Sequence, residues 1–382
     1  MKYLKHLAIG VLALGIYGQA QADINVGVVL SLTGPYASIG IPERNTVQLW
    51  PKEIAGQKLN VTILDDASDP TTATLVARKF VTENKVDFIA GPSGTPCSLA
   101  VLQVASESRT PMVAMAGGGA IVTPMDAARK WAFKTPPSEA IQLQVAFDKM
   151  KKSGQKRLGI VAVNSAYGQT FVDVAKVTAP KSGLEITDIE RYGSTDTSFV
   201  SQALKMLASK PDAILIVAPG TPAAMPQLAL VHRGFKGSFF QTQAAANKDY
   251  LRVGGKALEG TFMPASPLLV AEQLPSSNPV KKVATEYVDL YEKKFGPETR
   301  SLAGGVAWSA LLLLENAVPK ALKTAQPGTP EFRTALRDAI EQTTDLVTPE
   351  GVYNMSPENH NGADQRSQVL VTIKNGRWCY AN

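Results

Sequence analysis

The residues able to do chemistry begin with two short loops, Gly91-Pro92-Ser93-Gly94-Thr95-Pro96 and Gly117-Gly118-Gly119. Glycines let backbone N–H groups approach a ligand, Ser93 and Thr95 carry hydroxyl donors, and a helix opening just after such a loop favours an anion. Together they suit a carboxylate, although the same glycines equally serve tight strand-to-helix turns. Catalytic signatures break off short. The run around Ser93 misses the G-x-S-x-G pattern because position 95 is Thr, and Gly117 to Gly119 has neither a following Lys-Thr/Ser nor the G-x-G-x-x-G spacing. Asp65-Asp66 closes an apolar run just ahead of Asp69-Pro70, where turn and capping roles suit carboxylates better than acid–base work. Beyond the first 22 residues the histidines are His232 and His360, with no HExxH, no CxxC and no cluster at ligand spacing, so neither a metal nor any other cofactor is expected. A hydrolase with Ser93 as nucleophile would need one of those histidines beside it.

The elements that must position these loops sit in a chain of 382 residues, long enough for two or three lobes. A hydrophobic share of 45% with 19% charged residues is that of a globular protein and excludes disordered and multi-spanning classes. Two units of the formal charge of +6 belong to Lys2 and Lys5, and no basic block is interleaved with aromatics, so nucleic acid is not an expected partner. Residues 1–22 carry a secretory pattern: that charged start, the apolar stretch Leu7 to Tyr17, and Ala20-Gln21-Ala22 as a small-x-small cleavage site. A soluble, exported protein is expected. Leu302 to Leu314 is too short and too interrupted to span a bilayer. An oxidising compartment would permit a Cys97–Cys379 disulfide, but two cysteines so far apart in sequence do not show that they meet.

Short β-branched runs alternate with helical stretches from Asp23 to about Met263, which predicts an α/β fold with parallel sheets. Strands are expected at Ile24–Leu30, Leu59–Leu64, Phe88–Ala90 and Met112–Ala116, with helices over Pro42–Glu53, Thr71–Glu83 and Cys97–Ser108. The pattern restarts after Thr135-Pro136-Pro137 with strands at Leu158–Val163, Leu184–Glu190, Ala213–Val217 and Ser238–Gln241, so the proline pair marks one strand of a hinge. Three consecutive helices, Val280–Phe295, Leu302–Leu322 and Pro330–Glu341, would complete the first lobe, and Asn375-Gly376 turns a last hairpin. The expected division is residues 23–136 plus 266–346 for the first lobe and 137–265 plus 347–382 for the second. In open parallel sheets ligands bind outside the carboxyl ends of the strands, where the two glycine loops fall.

The run Ile24 to Ala37, with Asp65-Asp66-Ala67-Ser68-Asp69-Pro70, Ile89-Ala90-Gly91-Pro92, Tyr167-Gly168 and Ala307-Trp308-Ser309-Ala310, resembles the leucine/isoleucine/valine-binding protein family, the type I periplasmic solute-binding receptors of ABC importers. The resemblance covers Asp23 to Asn382 with the motifs in the same order. It implies two Rossmann-like lobes, a three-strand hinge, closure around a small ligand, a membrane permease as partner, no enzymatic activity and a monomer. It places a ligand carboxylate against Ser93 and Thr95 and against Ala116, Gly117 and Gly118, an apolar residue, Ile39, over the ligand side chain, and Tyr167 and Thr221 on the closing lobe.

Gln243 is the informative departure. It aligns with the acidic residue that pairs with the ligand ammonium in branched-chain amino-acid receptors, and a neutral amide cannot compensate a buried cation. The resemblance with this change implies a small organic acid without an amino group, an aromatic carboxylate or an aryl 2-oxo acid, with Phe240 or Trp308 adding to an apolar wall. The alternatives are a branched-chain amino acid whose ammonium meets a nearby Asp or Glu, an amide-type ligand, or a sensing role in place of transport. Ser68 stands where some family members have a cysteine, so their local disulfide has no counterpart here.

Overall fold

The computed structural model describes residues 22–381; the expected secretion signal lies outside the described residues apart from its last position. In the first lobe, strands β1 (Ile24–Leu30), β2 (Glu53–Ile54), β3 (Gln57–Asp65), β4 (Phe88–Ala90), β5 (Met112–Ala114) and β6 (Ala132–Lys134) form one sheet in the order β2-β3-β1-β4-β5-β6. All neighbours are parallel except the short β2. β1 and β4 are almost wholly buried apolar runs, as strands covered on both faces must be. In the second lobe β7 (Arg157–Val163), β8 (Glu185–Tyr192), β9 (Ala213–Val217), β10 (Ser238–Gln241) and β11 (Phe262–Ala265) continue the α/β alternation. After the small antiparallel pair β12 (Leu346–Thr348) and β13 (Gly351–Tyr353), the terminal hairpin β14 (Val369–Lys374) and β15 (Arg377–Tyr380) adds to the second sheet, whose order is β15-β14-β11-β10-β9-β7-β8.

Local chemistry sets the helix starts. Asp69 accepts from the Thr72 N–H at 2.7 Å and Pro70 opens the helix Pro70–Thr82, while Ser138, Ser165, Ser301 and Thr329 cap four others through their side chains. The first expected helix runs earlier than its spacing suggests, Ala37–Val47 with Pro42 inside it, because the chain turns into a helix directly after Tyr36 and is broken at Trp50-Pro51. The helix Leu302–Ala321 is mostly apolar and buried and packs on Ala37–Val47 and on Pro330–Glu341, so it is the spine of the first lobe.

The chain crosses between lobes three times. The first crossing is Thr135-Pro136-Pro137, held by the Asn361 amide on the Pro136 carbonyl at 2.8 Å and by the Tyr353 hydroxyl on the Thr135 carbonyl. The second follows β11 at Ser266-Pro267, where the Ser266 hydroxyl donates to the Pro349 carbonyl at 3.2 Å. The third lies between β13 and β14: Tyr353, Met355 and Ala363 pack with the core of the first sheet, Val352 with that of the second, and the chain joins the second sheet at Val369.

Candidate functional site

Between the lobes lies a cleft with about 600 Å³ of atom-free space, part of it open to solvent, a size usual for small-molecule sites. The loops after β1, β4 and β5 line one side, with Tyr36, Ile39, Ser93, Gly94, Thr95 and Gly117. Tyr167, Pro219, Gln243 and Ala244 line the other, and Pro136 at the first crossing closes the floor. Among the described residues no Asp, Glu, Lys or Arg lines the cleft. The described residues also hold no group of His, Cys, Asp and Glu suited to a metal ion.

The first-lobe donors are individually prepared. Thr95 Oγ1 accepts the Gly118 N–H at 3.0 Å, so the glycine amide is spent on orienting the threonine and the hydroxyl hydrogen is left for a ligand. A Cβ at Gly118 would meet Thr95 Cγ2 at 2.4 Å, which is why a glycine stands there. Ser93 Oγ accepts the Ser31 N–H at 3.1 Å and also contacts Glu43. Behind the loop, fully buried Lys134 donates from Nζ to the carbonyls of Gly117 at 2.9 Å and Pro136 at 2.8 Å, tying the glycine loop to the hinge. Burial lowers the Lys134 ammonium to about 8, against the opposing charge of Glu139.

On the second lobe, Tyr167 stands in the first turn of the helix Ala166–Lys181 that Ser165 caps, and its hydroxyl donates to Thr242 at 2.9 Å. Burial pushes the Tyr167 phenol up, so it remains a neutral donor. Gln243 is 4% exposed; its N–H donates to Gln142 Oε1 at 3.4 Å and its Oε1 accepts from Gln368 Nε2 at 2.7 Å. Gln368 Nε2 also donates to the Ser367 carbonyl at 2.7 Å, which can only accept, so the orientation of both amides is fixed. What Gln243 turns to the cleft is therefore its NH₂ group.

Six of the nine ligand-binding residues singled out from sequence meet in the cleft, and the other three lie elsewhere. Ile39, Ser93, Thr95, Gly117, Tyr167 and Gln243 all line the cleft, whereas Ala116 is buried behind it at 2% exposure. Gly118 acts through Thr95, and Thr221 lies outside the lining, where its N–H donates to Ser38 Oγ at 3.3 Å across the lobe contact. Pro219 occupies the cleft wall instead, because the Gly220 backbone, at φ +66, turns Thr221 away. Phe240 and Trp308 do not form the apolar wall: Phe240 is fully buried against Phe262, and Trp308 packs on Tyr287. Tyr36, Met115, Leu302 and Val306 supply that wall. Tyr36 lay within a motif already noted, but Gln142 and Gln368 carry no local signal, since each acts through a partner 101 or 125 residues away.

Other candidates resolve plainly. His360 is sandwiched on Phe133, with Nδ1 2.9 Å from the Ala132 carbonyl and Nε2 3.0 Å from Glu341, and the recorded partners of Ser93 include no histidine. Asp65 and Asp66 serve the turn, accepting from Leu32, Ala67, Ser68 and Ser31. Cys97 and Cys379 are both free, one buried in a first-lobe helix and the other on the edge hairpin of the second sheet.

The sequence pattern of the Periplasmic binding protein family matches residues 23–377. A Leu/Ile/Val-binding protein homolog 1 from Brucella melitensis is 26% identical over 341 residues, covering 84% of this chain and 86% of that one. An extracellular ligand-binding receptor from Rhodopseudomonas palustris HaA2 superposes with a TM-score of 0.91 at 42% identity, covering 94% of this chain and all of that one. A solute-binding protein of an ABC transporter from R. palustris, solved in complex with benzoate, shares the fold with a TM-score of 0.78 at 19% identity, over 94% of this chain and 95% of that one. With two lobes of parallel sheet, three crossings and a neutral cleft between them, the chain belongs to the periplasmic binding protein family of type I fold.

Proposed function

We propose that the protein is an exported, non-catalytic receptor that captures a small organic acid, an aromatic carboxylate or an aryl 2-oxo acid, and delivers it to the membrane permease of an ABC importer. The observation that carries this reading is the Gln243 amide: its oxygen accepts from Gln368 and its NH₂ group is left to donate, in a cleft lined, among the described residues, by no carboxylate. A buried ammonium without a counter-charge costs several kcal/mol, so an amino acid is disfavoured, whereas a carbonyl, hydroxyl or second oxygen accepts from Gln243.

Ser93 and Thr95 on the first lobe take the carboxylate; Ile39, Tyr36, Leu302 and Val306 flank a ring. Closure brings Tyr167 and Gln243 onto the ligand, and only a ligand touching both lobes shifts the open–closed equilibrium. The benzoate complex of the R. palustris relative supports an aromatic acid as cargo for this fold. The names of the Brucella relatives favour the second reading, a branched-chain amino-acid receptor.

A thermal-shift panel on refolded, ligand-free protein separates the two, because a bound ligand stabilises by mass action. Benzoate, hydroxycinnamates and aryl 2-oxo acids are expected to raise Tm while leucine, isoleucine and valine leave it unmoved. A shift with the amino acids alone overturns the proposal.

A further inference from the structure

Ser93 has one hydroxyl hydrogen and two claimants for it. Its Oγ accepts the Ser31 N–H at 3.1 Å and makes a short contact with Glu43 Oε2, while the same residue lines the cleft. Glu43, on the helix Ala37–Val47, is fully buried, and its other oxygen has no hydrogen-bond partner. If Glu43 is ionised, its Oε2 takes the Ser93 hydrogen, and the serine turns only lone pairs to the cleft, which repel a carboxylate. If Glu43 is protonated, the carboxyl donates to Oγ, and the Ser93 hydrogen is free to donate to the ligand.

The neighbours of Glu43 favour the second arrangement. Asp66, at the end of β3, is linked through the Ser31 hydroxyl, which donates to its Oδ1 at 2.7 Å; the Ser68 N–H donates to the same oxygen at 2.8 Å. Cys97, on the helix Thr95–Ser108, lies beside Asp66, and burial together with that carboxylate pushes its thiol up, so it stays neutral and adds no charge. Burial, and secondarily the Asp66 charge, hold the Glu43 carboxyl well above the usual carboxylate range, against the lowering effect of Ser93. No cation among the described residues contributes to that balance.

We propose that Glu43 is a positioning residue that must carry a proton for Ser93 to donate to the ligand carboxylate, so that the receptor binds its organic anion in the Glu43-protonated form only. This rests on the carboxylate reading of the cleft given above. It gives the neutral lining a second hydroxyl donor beside Thr95, one whose direction is set by a buried acid, with no fixed positive charge that would hold every anion alike.

The test uses whichever of benzoate and phenylpyruvate binds the mature protein more tightly. Infrared difference spectra of the complex at neutral pH are expected to contain the carbonyl stretch of an un-ionised carboxylic acid that disappears in Glu43→Gln. Affinity of the unsubstituted protein is expected to fall about tenfold per pH unit once pH passes the Glu43 pKa, a slope absent in Glu43→Gln, whose amide donates permanently. Ser93→Ala, which removes the hydroxyl without touching the acid, should lose the same slope and keeps the test open if Glu43→Gln does not fold. Loss of an ionised-carboxylate band in Glu43→Gln, with the acid band unchanged, overturns the proposal while leaving the ligand class standing. Failure of both acids to bind overturns the carboxylate reading itself.

Discussion

Gln368 Nε2 donates to Gln243 Oε1 across 2.7 Å, joining a residue just before β14 to one just after β10, 125 positions earlier. Because the same nitrogen also donates to a backbone carbonyl, the pair has one orientation, and ligand selection at that end of the cleft follows from it.

Gln243→Glu should invert selectivity. Phenylalanine and phenylpyruvate share a skeleton and differ in an ammonium against a keto oxygen. The variant is expected to lose tenfold or more in phenylpyruvate affinity and to gain about 10–100-fold for phenylalanine, since a hydrogen bond to a charged group is worth roughly 1.5–3 kcal/mol. Titration calorimetry with both ligands measures it, and unchanged selectivity would remove Gln243 from the ligand's surroundings.

Gln368→Leu removes the restraint without touching the cleft. Loss of one neutral hydrogen bond, about 1 kcal/mol, predicts an affinity about fivefold weaker. With the Gln243 amide free to turn, discrimination between keto and amino ligands should narrow, which competition binding reads directly.

The fold was legible where local chemistry decides it, and the site only in half. Phe88–Ala90, Ala213–Val217 and Ser238–Gln241 are strands at the limits their apolar runs set, and Pro330–Glu341 is a helix at its expected bounds. The glycine loops stood out by residue type, and Tyr167 by the family resemblance; both line the cleft. Thr221 was misplaced because the backbone direction at Gly220 is invisible in a one-dimensional string, and the aromatic wall was assigned to Phe240 and Trp308 when their rings serve the cores instead.

Closure should be sensitive at Gly117. A Cβ there would stand 2.9 Å from the Tyr167 ring of the opposite lobe, with the rest of the first lobe undisturbed. Gly117→Val is expected to fold but to bind at least tenfold more weakly, since burying the ligand requires the lobes to meet. Small-angle scattering should show the ligand-dependent contraction of the unsubstituted protein shrink or vanish in the variant.

Stability should depend on pH through Glu350 at the hinge. Its carboxyl is fully buried, the nearby Ser266 hydroxyl donates to the Pro349 carbonyl instead, and burial, against a smaller lowering effect of Ser266, raises it from 4.5 to about 8. Between those values the folded chain keeps a proton that the unfolded chain has released, so this group's contribution falls as pH rises through the window and levels off above it. Glu350→Gln should therefore have a Tm a few degrees above the unsubstituted protein at pH 8, with the gap closing towards pH 5. Thermal unfolding across that range checks the sign.

The central claim is that the cleft accepts an oxygen, and not an ammonium, opposite the carboxylate. Titration calorimetry of the refolded, ligand-free protein with phenylpyruvate and with phenylalanine, at one pH and one ionic strength, tests it most directly. Binding of phenylpyruvate at least 100-fold tighter than phenylalanine is the expected result, the ratio that roughly 3 kcal/mol for an uncompensated charge-assisted partner would give. Tighter binding of phenylalanine would contradict the account and return the protein to the amino-acid receptors.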